Sequence, residues 1–155
     1  MAGTCEARLT AMGITLPPAP AAVGAYVPFT RAGTLLFISG QLPLKDGKLV
    51  STGLLGTDLT LEQGQQAARL AAINTLAQMK AAAGDLDNVV RVTRLVGYVA
   101  CAPGFTDTHK VLNGASDLLA EVLGDAGRHA RTAVGAAILP LNAPVEVELT
   151  AELKA

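Results

Sequence analysis

Near the C-terminus apolar and polar residues alternate strictly. Val145, Val147, Leu149, Ala151 and Leu153 fall on one side, and Glu146, Glu148, Thr150 and Glu152 on the other. A period of two predicts a strand over 145–153 with one buried face. Between Thr106 and Leu123 the period is helical: Val111, Leu112, Ala115, Leu118, Leu119 and Val122 recur every third or fourth residue, and Gly124 closes the run. A longer, alanine-rich helix is predicted from Leu61 to Ala83. Thr60 and Gln63 have capping-box spacing before it, Gly84 stands where a terminating glycine belongs, and Leu70, Ile73, Ala77 and Lys80 share a side. Val89 to Ala100 is rich in β-branched residues and reads as a strand.

Ala25 to Arg31 and Thr34 to Ser39 predict a hairpin about Ala32-Gly33. The run Leu35-Leu36-Phe37-Ile38 is apolar throughout, as in a strand covered on both faces. Ser39-Gly40-Gln41 ends it, and glycine there permits close approach of another backbone or a ligand. Asp46-Gly47 is a turn before a short strand at Lys48 to Ser51. Arg131 to Ile138 is a strand, and Pro140 to Pro144 a turn. At the other end, Met1 to Gly13 suits a short helix, and Pro17, Pro18 and Pro20 make the following residues extended. An N-terminal arm over 1–23 thus precedes a domain over 24–155. The order ββ(β)αβαββ implies an α+β domain: one mixed sheet with two helices packed on one face.

Composition narrows the function classes. Half of the 155 residues are hydrophobic and only 16% are charged, which suits a chain hiding some surface in an oligomer. Net charge is −1, aromatics are 3% and tryptophan is absent, so neither the basic face nor the stacking rings of a nucleic-acid binder are present. No apolar stretch approaches the ~18–20 residues of a membrane span, and no leader pattern opens the chain, which argues for a cytoplasmic protein. Cys5 and Cys101 stand far apart without a CxxC, as free thiols do.

No familiar catalytic motif is present, and the loop from Gly53 to Gly56 lacks the Lys-Ser/Thr of a phosphate loop. His109 and His129 have no serine or cysteine at motif spacing and read as incidental, with general-base work by His129 the lesser alternative. Arg131 opens a strand of small residues. It lies either at a sheet rim or as a bidentate clamp for a carboxylate. Glu146 is the first of three glutamates on one strand face. That face is either solvated or includes a carboxylate in a covered cleft, able to move protons. A short turn joins the strands of Arg131 and Glu146, which suggests that the two meet in space.

Several segments together resemble the Rid (YjgF) family: Gly24-Ala25-Tyr26, Leu36-Phe37-Ile38-Ser39-Gly40-Gln41-Leu42-Pro43, Ala130-Arg131-Thr132-Ala133-Val134, and Leu139-Pro140 followed by Val145-Glu146-Val147-Glu148. The resemblance covers roughly residues 24 to 153. It implies a chorismate-mutase-like fold, a homotrimer with clefts between subunits, and hydrolysis of enamine/imine intermediates such as 2-aminoacrylate to 2-keto acids and ammonia, with no metal or organic cofactor. A non-catalytic carboxylate-binding trimer and an endoribonuclease or translation inhibitor are the alternatives. By the same resemblance Arg131 grips the substrate carboxylate and Glu146 positions water. Tyr26, Gly40, Asn113 and Ala133 line the cleft. Departures are Ala133 where Cys or Thr is common, Pro28 where Gln is common, the extra N-terminal arm, and the loop from Gly124 to His129.

Overall fold

The computed structural model describes residues 3–155; Met1 and Ala2, the start of the expected N-terminal helix, lie outside them. Three helices, α1 (Thr4–Ala11), α2 (Leu61–Ala83) and α3 (Thr108–Leu123), accompany a five-stranded sheet. Its strands are β1 (Phe29–Ala32), β2 (Leu35–Gln41), β5 (Val89–Ala100), β6 (Ala130–Ala136) and β7 (Val145–Leu153). A small hairpin, β3 (Leu44–Lys45) and β4 (Lys48–Leu49), stands apart. The sheet order is β1-β2-β7-β5-β6, antiparallel except for the parallel pair β5/β6. The expected mixed sheet, with helices on one face, is the architecture found.

The predicted alternation is realised on β7, where Val145, Val147, Leu149, Ala151 and Leu153 are all buried. They meet Leu36 and Ile38 of β2, Leu95 and Val99 of β5, and the apolar stripes of α2 and α3 in one core. The capping box of α2 is complete: Gln63 N donates to Thr60 Oγ1 (3.2 Å), and Thr60 N to Gln63 Oε1 (2.8 Å). Gly84 ends α2 at φ 76°, a left-handed conformation that glycine adopts without strain. The two helices pack closely at Gly114, where an added Cβ would overlap the backbone of Gln65 on α2.

Several boundaries differ from the sequence reading. The first strand begins at Phe29 rather than Ala25. The carbonyls of Val27 and Pro28 are instead held by Ser39 Oγ (2.7 Å) and Ser39 N (2.9 Å), and Pro28 has no N–H for a ladder. Helix α3 starts at Thr108, not Thr106, and β6 ends at Ala136, not Ile138. The apolar run of β2 is covered on one face only: Leu36 and Ile38 are buried, whereas Leu35 and Phe37 are 38% and 43% exposed. The side of α2 bearing Leu70 and Ile73 is only half-buried. With Ile14 to Pro18 and Leu44 it lines a groove under the N-terminal segment.

Helix α1 has no cap of its own. Thr4 N and Cys5 N donate to the two carboxylate oxygens of Asp87 at 2.7 and 2.9 Å, so a distant anion satisfies its N-terminal amides. Arg8 Nη1 donates to Val122 O (3.1 Å), Lys80 pairs with Glu6 (2.6 Å), and Cys5 and Leu9 sit in the main core cluster. Burial, then the hydrogen bond to Asp87, pushes the Cys5 thiol from its ordinary 9.0 up to about 12. A thiol whose folded pKa is raised favours folding fully below the free value, and that contribution is lost as pH climbs from about 9 toward 12. In the native protein at pH 8, Cys5 should therefore resist iodoacetamide and react only on unfolding. Mass spectrometry showing Cys5 alkylated at the rate of a free peptide thiol would contradict this docking.

Candidate functional site

The residues singled out in the sequence fall into two groups on opposite faces of the sheet. Strand β6 is an edge strand whose Arg131 lies opposite Leu95 of β5, and Leu95 faces the helices. Arg131 therefore points to the helix side, where α3 meets it. Its Nη1 donates to Asn113 Oδ1 (3.0 Å) and Ser116 Oγ (3.1 Å), and its Nη2 donates to His109 O (3.1 Å). A guanidinium has five N–H donors. Those contacts take both hydrogens of Nη1 and one of Nη2, leaving the Nε–H and one Nη2–H uncommitted among the described residues. Ala133, half-buried, follows on the same side of β6 and adds no polar group.

Two residues that the sequence reading left aside join this group. His129 is half-buried, not incidental: its Nε2 lies 3.0 Å from Ser116 Oγ and its Nδ1 2.6 Å from Gly127 O. Burial, with the nearby Arg131 guanidinium, lowers its pKa below the ordinary imidazole value, so the ring is neutral near pH 7. Ser116, Gly127, Arg128, His129 and Arg131 line a shallow surface cavity. The signal available in sequence was Asn113-x-x-Ser116, one helical turn on α3, together with His129-x-Arg131 entering β6.

Glu146 belongs to the other face. It pairs with Tyr98 of β5, which pairs with Val134 of β6, and all three point away from the helices. The β2/β7 register slips between Ile38 and Gln41, a bulge at Ser39-Gly40. A Cβ on Gly40 would overlap the Glu146 carboxylate, so glycine here admits a side chain of the same chain. Burial, then Glu148, raises the Glu146 pKa above its ordinary 4.5. Tyr26 is 54% exposed in the bend before β1. Elsewhere on the same open face Leu35, Phe37 and Val134 are partly exposed apolar groups, Leu35 at the far end opposite Glu152.

Arg131 and Glu146 thus do not meet within one chain, despite the short turn between their strands. The parallel strand β5 lies between β6 and β7 and places the two side chains on different faces. Arg131, Asn113 and Ala133 form one group; Glu146 and Gly40 form the other.

The raised pKa of Glu146 has a testable sign. A carboxyl whose folded pKa exceeds its free value opposes folding once pH rises above about 4.5 and through the folded value. Glu146→Gln should therefore melt at the parental temperature or higher at pH 7, and a calorimetric scan showing a clear fall in Tm would contradict the assignment.

A family model described as "YjgF/chorismate_mutase-like, putative endoribonuclease" matches residues 6–153. Protein TCP17 of Trypanosoma cruzi is 48% identical over 152 residues, covering 97% of this chain and 95% of that protein. The crystal structure of protein Atu1372 from Agrobacterium tumefaciens is similar with a TM-score of 0.92 and 51% identity, over 97% of this chain and 93% of that one. RidA from an Antarctic Psychrobacter is similar with a TM-score of 0.63 and 26% identity, over 88% and 94% of the two chains. No helix among the described residues is long and apolar enough to cross a membrane.

Proposed function

Because the chain belongs to the YjgF/Rid family, we propose that it hydrolyses small 2-imino acids, of the kind formed from 2-aminoacrylate, to 2-keto acids and ammonia. The observation that carries this reading is the tethered Arg131, whose fork of two uncommitted donors suits a carboxylate. Glu146 is supplied by a second copy of the chain, since the two groups lie on opposite faces of one. The exposed apolar side chains of the open face, and the low charge of the chain, favour such an association. The same resemblance that suggests the imine substrate implies a homotrimer.

In this mechanism the enamine tautomerises to the imine, whose carbon is electrophilic. Arg131 fixes the substrate carboxylate, and a water held by Glu146 reaches that carbon at a set distance. A glutamate pKa shifted toward neutrality suits it to take the proton of the attacking water and return one to the leaving amine. Water adds, the C–N bond breaks, and ammonia and the keto acid leave. No cofactor is required, and a cytoplasmic setting, where such intermediates arise, fits the free thiols of Cys5 and Cys101. Tyr26, Gly40 and Asn113 line the cleft in this reading.

The loss of a side-chain function at Ala133 favours one competing reading, a carboxylate-binding protein without turnover. The net charge of −1 speaks against ribonuclease activity. The discriminating experiment generates 2-iminobutanoate in situ with a threonine dehydratase and follows ammonia release. Acceleration over buffer is expected. No acceleration across several amino-acid precursors overturns the deaminase, and calorimetric binding of 2-oxobutanoate without turnover selects the binding protein.

A further inference from the structure

A guanidinium on a flexible stem presents a fixed edge only if its other donors are tied down. Here the ties include a hydrogen-bond relay whose polarity can be worked out atom by atom. Arg131 only donates, so Ser116 Oγ accepts from Nη1 at 3.1 Å. The Gly127 carbonyl can only accept, so in the neutral ring the hydroxyl hydrogen of Ser116 is directed at His129 Nε2, 3.0 Å away. Nε2 accepts it only when it carries no proton. The ring hydrogen must therefore sit on Nδ1, where it donates to Gly127 O at 2.6 Å. One assignment satisfies every member: Arg131 to Ser116, Ser116 to His129, His129 to the Gly127 carbonyl. On the far side, Asn113 Oδ1 and His109 O take the remaining ties, all from one end of α3.

Taking Arg131 as the carboxylate clamp of the function proposed above, we propose that Ser116 and His129 are its positioning residues: the relay orients the guanidinium so that its Nε–H and free Nη2–H face an incoming 2-keto or 2-imino carboxylate. Ser116 acts through Arg131 and not as a nucleophile, because its oxygen already accepts from the guanidinium and its hydrogen is committed to the imidazole. His129 acts through its tautomer, which decides the direction of the serine hydroxyl. His129 immediately precedes β6, two residues before Arg131, and one turn of α3 separates Ser116 from Asn113. The four groups thus converge from α3, β6 and the residue that leads into β6.

The test is calorimetric titration of the full-length protein with 2-oxobutanoate. Ser116→Ala and His129→Ala should each weaken binding about tenfold, the loss of roughly one hydrogen bond in a charged network. The double variant should be no weaker than either single one, because both remove the same relay. Ser116→Thr, which keeps the hydroxyl, should bind within about twofold of the parent on the same hydrogen-bond count. Imidazole 15N shifts of the parent should report the Nδ1-protonated tautomer, a readout independent of any variant's folding. Parental affinity in Ser116→Ala and His129→Ala, additive losses in the double variant, or an Nε2-protonated ring would each overturn the relay while leaving the carboxylate site standing. Parental affinity in Arg131→Ala would instead remove the site itself, so the two failures are distinguishable.

Discussion

Arg131→Ala should lower kcat/KM for 2-iminobutanoate by two to three orders of magnitude, about 3–4 kcal/mol of transition-state stabilisation, with little change in Tm. The asymmetry follows from position. Arg131 is an edge-strand residue, and the partners it would abandon, Asn113 Oδ1, Ser116 Oγ and His109 O, lie near the surface, where water replaces the lost donors. The substrate carboxylate has no comparable cationic substitute within the Arg131 group, since the Ser116 hydroxyl is committed, the Asn113 amide is neutral and Ala133 offers no side-chain donor. Arg131→Lys should rescue little: an ammonium supplies one point of charge where the geometry asks for three ties and a free fork. Steady-state rates and thermal melts of the two variants check this. A fall in Tm matching the fall in rate would mean that Arg131 serves the fold instead.

Gly114→Ala should have a large effect on stability. The new methyl would overlap the carbonyl oxygen of Gln65, a backbone atom of α2 that cannot rotate away. The helices must separate, and the core beneath, including Leu112 and Ala115, loosens with them. Overpacking of this kind costs about 3 kcal/mol, the upper end of its usual range, which lowers Tm by about 6–12 °C for a chain of this size. Gly24→Ala is the control, because its methyl meets only the Tyr26 ring at 3.4 Å. Since α3 carries Asn113 and Ser116, the Gly114 variant should also bind 2-oxobutanoate more weakly than the control. Equal melting temperatures for the two variants would show that the helix contact is not as tight as drawn.

What the sequence made legible was local. Helix α2 and strands β5 and β7 match their predicted limits because each is announced by its own residues: the Thr60/Gln63 box, the β-branched run from Val89, and the alternation from Val145. The unread parts depend on residues far apart in the chain. Helix α1 is held by Asp87, which no periodicity connects to Thr4 or Cys5. The insertion of β5 between β6 and β7 is a choice of strand order, and a short turn between Arg131 and Glu146 concealed it. The open face of β2 was misread because an unbroken apolar run looks the same whether a helix or another molecule covers its second side. The link between Ser116 and His129 went unread because only the docking of β6 beside α3 brings them to 3.0 Å.

With Arg131 and Glu146 divided between two faces, the proposed function requires that each working site draw its guanidinium and its carboxylate from different copies. Mixing two inactive variants measures this. Arg131→Ala and Glu146→Gln, unfolded together and refolded at equal concentration, should regain deaminase activity, with about a quarter of sites intact by random assortment in a closed ring. A mixture that stays as inactive as its components, while refolded parent recovers fully, would place both groups in one chain's site and contradict the account.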